Sequence, residues 1–120
     1  MGAQIKAILV CLLVFLGTAA AAEDTGVIEI VTMSLAEGVT PAAFEPVDRA
    51  VQQDHVSKQP GFVSRQAGYR EGQWAVVVTW QNAEAAQASM DSFATAPAAQ
   101  RFISMIDPST LSMTRYQLAR

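Results

Sequence analysis

His55 is the only histidine in a chain of 120 residues. Histidine is the residue type that changes charge near neutral pH. As a general base it can take the proton of a phenol and leave an electron-rich anion that reacts with oxygen. The same ring can instead close the end of a helix, partly buried, with a hydrogen bond to backbone or to a neighbouring carboxylate. Arg65 and Tyr69 fall on one face of a predicted strand, with Val63 and Ala67. A guanidinium and a phenol on one side can hold an oxyanion or an acidic substrate; as plain ladder residues they would lie at a sheet edge. Trp74 and Trp80 share a strand face six residues apart. Aromatic faces can hold a planar ligand by stacking. Trp80 suits the core, whereas Trp74, beside a turn, suits a pocket rim. The candidate catalytic residues are thus His55 and Tyr69. The candidate substrate-binding residues are Arg65, Trp74, Met90 and Phe93. Arg115 and Tyr116, on opposite faces of the last predicted strand, form a weaker pair.

Other chemistries find no support. A lone histidine cannot assemble a metal site, and Asp48 and Asp54 near it read as surface positions of a helix. Met33, Met90, Met105 and Met113 raise the thought of Cu(I). They are scattered, without an M-x-x-M or histidine cluster, and suit adaptable core or pocket lining. Ser/His/Asp order, a glycine-rich phosphate loop and Cys/His spacing are all missing. Neither a cofactor nor a metal is expected.

The elements that must position these residues follow an export signal. Lys6 precedes an apolar run of ten residues, Ala7 to Leu16, and Ala20-Ala21-Ala22 offers small residues for cleavage. The run is shorter than the roughly 20 apolar residues of a membrane span. Residues 1–22 therefore read as a signal peptide and residues 23–120 as one mature domain, periplasmic or secreted; the alternative is an uncleaved N-terminal anchor. After cleavage no stable membrane insertion is expected. Cys11 leaves with the signal, so disulfides and thiol chemistry leave too. With Lys6 gone, seven of the eight basic residues remain against eleven acidic ones. No basic stripe exists, which argues against nucleic acid as a partner.

Within the mature chain, Val27–Leu35 reads as a strand. Thr40-Pro41 starts a helix, and Phe44, Val47, Val51 and His55 recur at steps of three and four along one face. Pro46 predicts a kink or a loosened first turn. Gln59-Pro60-Gly61 ends the helix. Phe62–Tyr69 is a second strand and Glu71-Gly72 a hairpin turn. Gln73–Gln81 is a strand with Trp74, Val76, Val78 and Trp80 on one face and Ala75, Val77 and Thr79 on the other. Both faces are apolar, so both should be covered. Asn82 caps a helix over Ala83–Ala96, Pro97 breaks it, and Ala98–Ile106 is a further helical piece. Asp107-Pro108 stops that piece, and Leu111–Leu118 is the last strand. The order βαββαβ is the α+β, ferredoxin-like arrangement.

Three stretches then resemble one family. They are His55-Val56-Ser57-Lys58-Gln59-Pro60-Gly61-Phe62, Thr79-Trp80-Gln81-Asn82-Ala83-Glu84-Ala85, and Phe93…Pro97…Phe102. Together they resemble the antibiotic-biosynthesis-monooxygenase (ABM) domains of the dimeric α+β barrel superfamily. The resemblance implies a homodimer of two facing sheets, with a small-molecule pocket between helices and sheet. Family members include cofactor-free oxygenases acting on phenols or quinols, and haem-degrading enzymes. The places of the haem-degrading Asn, Trp and His fall near Val31, Ser89 and Ala99, which cannot do that chemistry. The expectation is a cofactor-independent monooxygenase on a quinol or phenol. The alternative is a non-catalytic dimeric binding protein for a small hydrophobic or aromatic metabolite.

Overall fold

The structure, a computed structural model, describes residues 25–119. The expected export segment, residues 1–22, with Cys11, lies outside the described residues. Strand β1 is Val27–Leu35, followed by helix α1, Pro41–Asp54, and a single 3-10 turn, Val56–Lys58. Strands β2, Phe62–Arg70, and β3, Gln73–Trp80, form a hairpin. Helices α2, Ala83–Phe93, and α3, Pro97–Ser104, lead into strand β4, Ile106–Gln117. The sheet order is β2-β3-β1-β4 with every neighbouring pair antiparallel. Each helical crossover therefore skips one strand, which is the ferredoxin-like topology. Among the described residues no helix is long and apolar enough to cross a membrane.

Local chemistry explains the element ends. Thr40 Oγ1 accepts from the Ala43 N–H at 3.2 Å, and Asn82 Oδ1 accepts from the Ala85 N–H at 2.8 Å, so α1 and α2 start with side-chain caps, whereas α3 starts at Pro97 without one. Glu71 and Gly72 both have positive φ, 49° and 78°, the backbone of a two-residue hairpin turn matched to strand twist. Gly61 has φ +83°, and a Cβ there would sit 2.5 Å from Ala85 Cβ on α2. Only glycine lets this turn lie against the helix.

Two expectations about the backbone are corrected. Helix α1 is regular from Pro41 and continues through Pro46, without a loosened first turn. The proline cannot donate to the Ala42 carbonyl, but both residues are exposed and solvent can take that group. Asp107-Pro108 does not separate α3 from the last strand: β4 already begins at Ile106, paired with Leu35. The register with β1 slips between Thr32 and Ser34. There Thr110 Oγ1 accepts the Ser34 N–H at 2.9 Å in place of a ladder carbonyl, so a bulge absorbs the extra residues.

All helices pack on one face of the sheet. Phe44 is central, with its ring centroid 4.9 Å from those of Trp74 and Phe102. Met33, Val47, Val51, Val76 and Trp80 surround it in the same core. The other face carries Ile28, Ile30, Ala75, Val77 and Tyr116, with Val77 38% exposed. The expectation that both faces of β3 are covered therefore holds for one face within the protomer.

Candidate functional site: a cavity between the helices and the sheet

Helix α2 is built largely from alanine and serine on its inner side. Ala86 and Ser89 are buried, and Ala85 touches the Gly61 turn. Such short side chains leave space above the sheet that close packing would otherwise fill. A cavity of about 340 Å³ results, within the size range of small-molecule pockets. Met33, Val78 and Trp80 floor it; Met90 and Phe93 of α2 and Phe102 of α3 roof it. The polar residues on its wall are Glu29, Arg65 and Ser89.

Both charged residues are buried and paired. Arg65 donates twice to Asp48, Nη1 to Oδ2 at 2.9 Å and Nη2 to Oδ1 at 2.7 Å, and also to Gln52 Oε1 at 3.3 Å. Trp74 Nε1 adds a third bond to Asp48 at 3.1 Å. On the neighbouring side, Arg115 Nε donates to Glu29 Oε2 at 2.8 Å, and its Nη1 to Gln87 Oε1 at 2.8 Å. Strand register puts the residues on one line: Arg65 pairs with Val78, Val78 with Glu29, and Glu29 with Arg115. A rung of alternating charge thus crosses the helix-facing side of the sheet.

The candidate residues divide between this cavity and other places. Arg65, Met90 and Phe93 line it. Arg65 does so as a buried ion-pair member rather than as a sheet-edge ladder residue. Val63, expected on its face, is left without a β3 partner by a register slip and is exposed. Asp48, read as a surface position, is 5% exposed and is the partner of Arg65. Trp74, read as a pocket rim, is 3% exposed and packs in the core. Tyr69 is 61% exposed and stacks on Trp74, centroids 5.7 Å apart and planes 9° from parallel. It lines an outer groove of about 300 Å³ with Glu45, Arg49, Gln52 and Trp74.

His55 stands behind the cavity roof and is not part of its lining. It caps α1, with its N–H on the Val51 carbonyl at 3.2 Å. Its ring meets Phe93 edge-on at 5.8 Å. Gln59 Nε2 lies 3.5 Å from Nδ1, while Ser92 Oγ and the Ser89 carbonyl lie 3.2 and 3.4 Å from Nε2. Ser92 Oγ donates onward to Gln59 Oε1 at 3.3 Å. One tautomer satisfies the set: Nδ1 accepts from Gln59, and Nε2–H donates to Ser92 and Ser89. The ring ties the end of α1 to α2 as a closed hydrogen-bonded loop.

Glu29 and Asp48 are the site residues that sequence reasoning missed. A signal existed for each. Glu29 alternates in phase with Val27, Val31, Met33 and Leu35. Asp48 completes the Phe44, Val47, Val51 face at the i+4 place. Among the described residues no cluster of His, Cys, Asp or Glu could hold a metal ion.

No protein-family model matches the sequence, and no curated protein matches it. Solved structures do. The cofactor-independent oxygenase SnoaB from Streptomyces nogalater superposes with TM-score 0.65 at 17% identity, covering 80% of this chain and 95% of that one. A candidate antibiotic biosynthesis monooxygenase from Chloroflexus aurantiacus gives 0.54 at 16%, covering 79% and 94%. The chain shares the α+β, ferredoxin-like fold of these proteins. A dimeric ferredoxin-like protein of unknown function from Thermobifida fusca shares it too, with TM-score 0.58 at 17% identity over 78% of this chain and 92% of that one.

Proposed function

We propose that this chain is an exported, homodimeric protein that binds an electron-rich phenol or quinol and lets oxygen react with it without a cofactor. The observation that carries this reading is the apolar cavity between α2, α3 and the sheet, in a fold shared with a cofactor-independent oxygenase. In the reaction proposed, a phenol ring carbon loses its hydrogen and gains one oxygen atom, giving a quinone. The second oxygen atom leaves as water, and the substrate supplies all four electrons. The protein contributes a shaped, largely apolar site that holds the ring and limits side reactions of the anion. Arg65, Met90 and Phe93 are the proposed substrate-contacting residues.

A second reading is a non-catalytic binding protein for an aromatic metabolite. It is favoured by the placement of His55 and Tyr69, which both stand off the cavity wall. Oxygen uptake by the mature protein on a panel of quinols and phenols separates the two. The first reading expects uptake above a protein-free control, one oxygen molecule per quinone formed. Ligand binding without uptake across the panel would leave the second. Export is tested by recovering the protein from a host expressing the full chain, with Glu23 expected as its first residue.

A further inference from the structure

Glu29 is 5% exposed, in the middle of β1, on the wall of a largely apolar cavity whose other polar lining residues are Arg65 and Ser89. The other helix-facing residues of β1 are Val27, Val31, Met33 and Leu35. Packing alone would be served by one more of these, because a buried carboxylate is strongly disfavoured unless compensated. Compensation is present for one oxygen: Oε2 accepts from Arg115 Nε at 2.8 Å, and Gln87 steadies Arg115 from beyond. Oε1 accepts no hydrogen bond among the described residues. On the far side of Val78, Arg65 has its charge met by Asp48. With Asp48 of α1 counted, the charges along the rung cancel, and Glu29 leaves a carboxylate acceptor on the wall of the site.

We infer that Glu29 is the recognition group of the cavity. Its Oε1 accepts the O–H of a neutral hydroxylated aromatic, a phenol or hydroquinone, while Val78, Trp80, Met90 and Phe93 hold the ring. Arg115 positions the carboxylate and does not touch the ligand. Aromatic acids are disfavoured, because their carboxylate would face that of Glu29. The inference rests on the proposed function only in taking this cavity as the ligand site; it holds whether or not oxygen then reacts.

Equilibrium dialysis of the mature protein against three probes tests it: 1-naphthol, 1-methylnaphthalene and 1-naphthoate. Wild type should bind 1-naphthol about tenfold more tightly than 1-methylnaphthalene, the advantage of a hydrogen bond to a charged group, and 1-naphthoate most weakly. Glu29→Gln should erase most of the preference for 1-naphthol while leaving 1-methylnaphthalene affinity unchanged. Should that variant not fold, the wild-type ranking alone decides. Equal binding of 1-naphthol and 1-methylnaphthalene, tightest binding of 1-naphthoate, or no binding of any probe would overturn the inference. The expected ranking without oxygen uptake would uphold it while removing the oxygenase reading.

Discussion

Asp48 accepts three hydrogen bonds, two from Arg65 and one from Trp74, where both charged partners are almost out of water. Removing one member of such a pair strands the other charge in a low-dielectric site. Asp48→Ala should therefore destabilise the fold by about 3–5 kcal/mol, measured by chemical denaturation. An effect under 1 kcal/mol would show that Arg65 finds solvent. The two tryptophans are both buried, 3% and 1% exposed, so each alanine variant should cost about 3–5 kcal/mol, Trp74→Ala no less than Trp80→Ala. This replaces the expectation that Trp74, as a rim residue, matters less. Their indole nitrogens differ. Trp74 Nε1 serves Asp48, whereas Trp80 Nε1 is buried without a partner among the described residues. Trp74→Phe should thus lower stability more than Trp80→Phe, by about 1–3 kcal/mol. Reversal of that order in urea midpoints would contradict the hydrogen-bond assignment. His55 joins α1 to α2 through Gln59, Ser89 and Ser92. His55→Ala should cost about 1–3 kcal/mol through the partners left unpaired. Ligand binding per folded molecule should hardly change; a stable variant with lost turnover would make His55 catalytic instead.

At the scale of elements, the Gly61 turn sets how closely α2 approaches the sheet. Its carbonyl accepts the Gln81 N–H at 2.8 Å, and its missing Cβ makes room for Ala85. Gly61→Ala meets two obstacles, a left-handed backbone that costs about 1–2 kcal/mol for an L-residue and the collision with Ala85. The variant should melt well below wild type, and adding Ala85→Gly should recover only part of the loss. Full recovery in the double variant would mean that the backbone conformation itself is unstrained. A displaced α2 should also alter the cavity, since Met90 and Phe93 ride on that helix. Stability and ligand affinity are expected to fall together here, unlike at His55.

For the molecule as a whole, the uncovered sheet face decides the state of assembly. Ile28, Ile30, Ala75, Val77 and Tyr116 share it, and a domain of this size gains much from a second buried face. Sedimentation should give a dimer at micromolar concentration. Val77→Lys should shift it towards monomer, because a charge placed in the centre of that face must stay in water. A wild-type monomer under the same conditions would remove the homodimer from the proposal.

Sequence by itself determined the elements whose causes are local. Alternation in Val27–Leu35 and Gln73–Trp80, the caps Thr40 and Asn82, and the turns at Gly61 and Gly72 act within a few residues of their own position. The order of strands and helices, and with it the fold, was legible from these. The start of β4 was not, because a proline after an aspartate reads as a stop until Leu35 and Ser34 are present to pair with Ile106 and Asp107. The polar interior was hidden for the same reason. Asp48 and Arg65 lie 17 residues apart, and Glu29 and Arg115 lie 86 apart. A charge on an apolar face looks like an error in the pattern until its counter-charge arrives from another element. Only tertiary structure supplies that partner, and burial without it would cost more than the fold could offset.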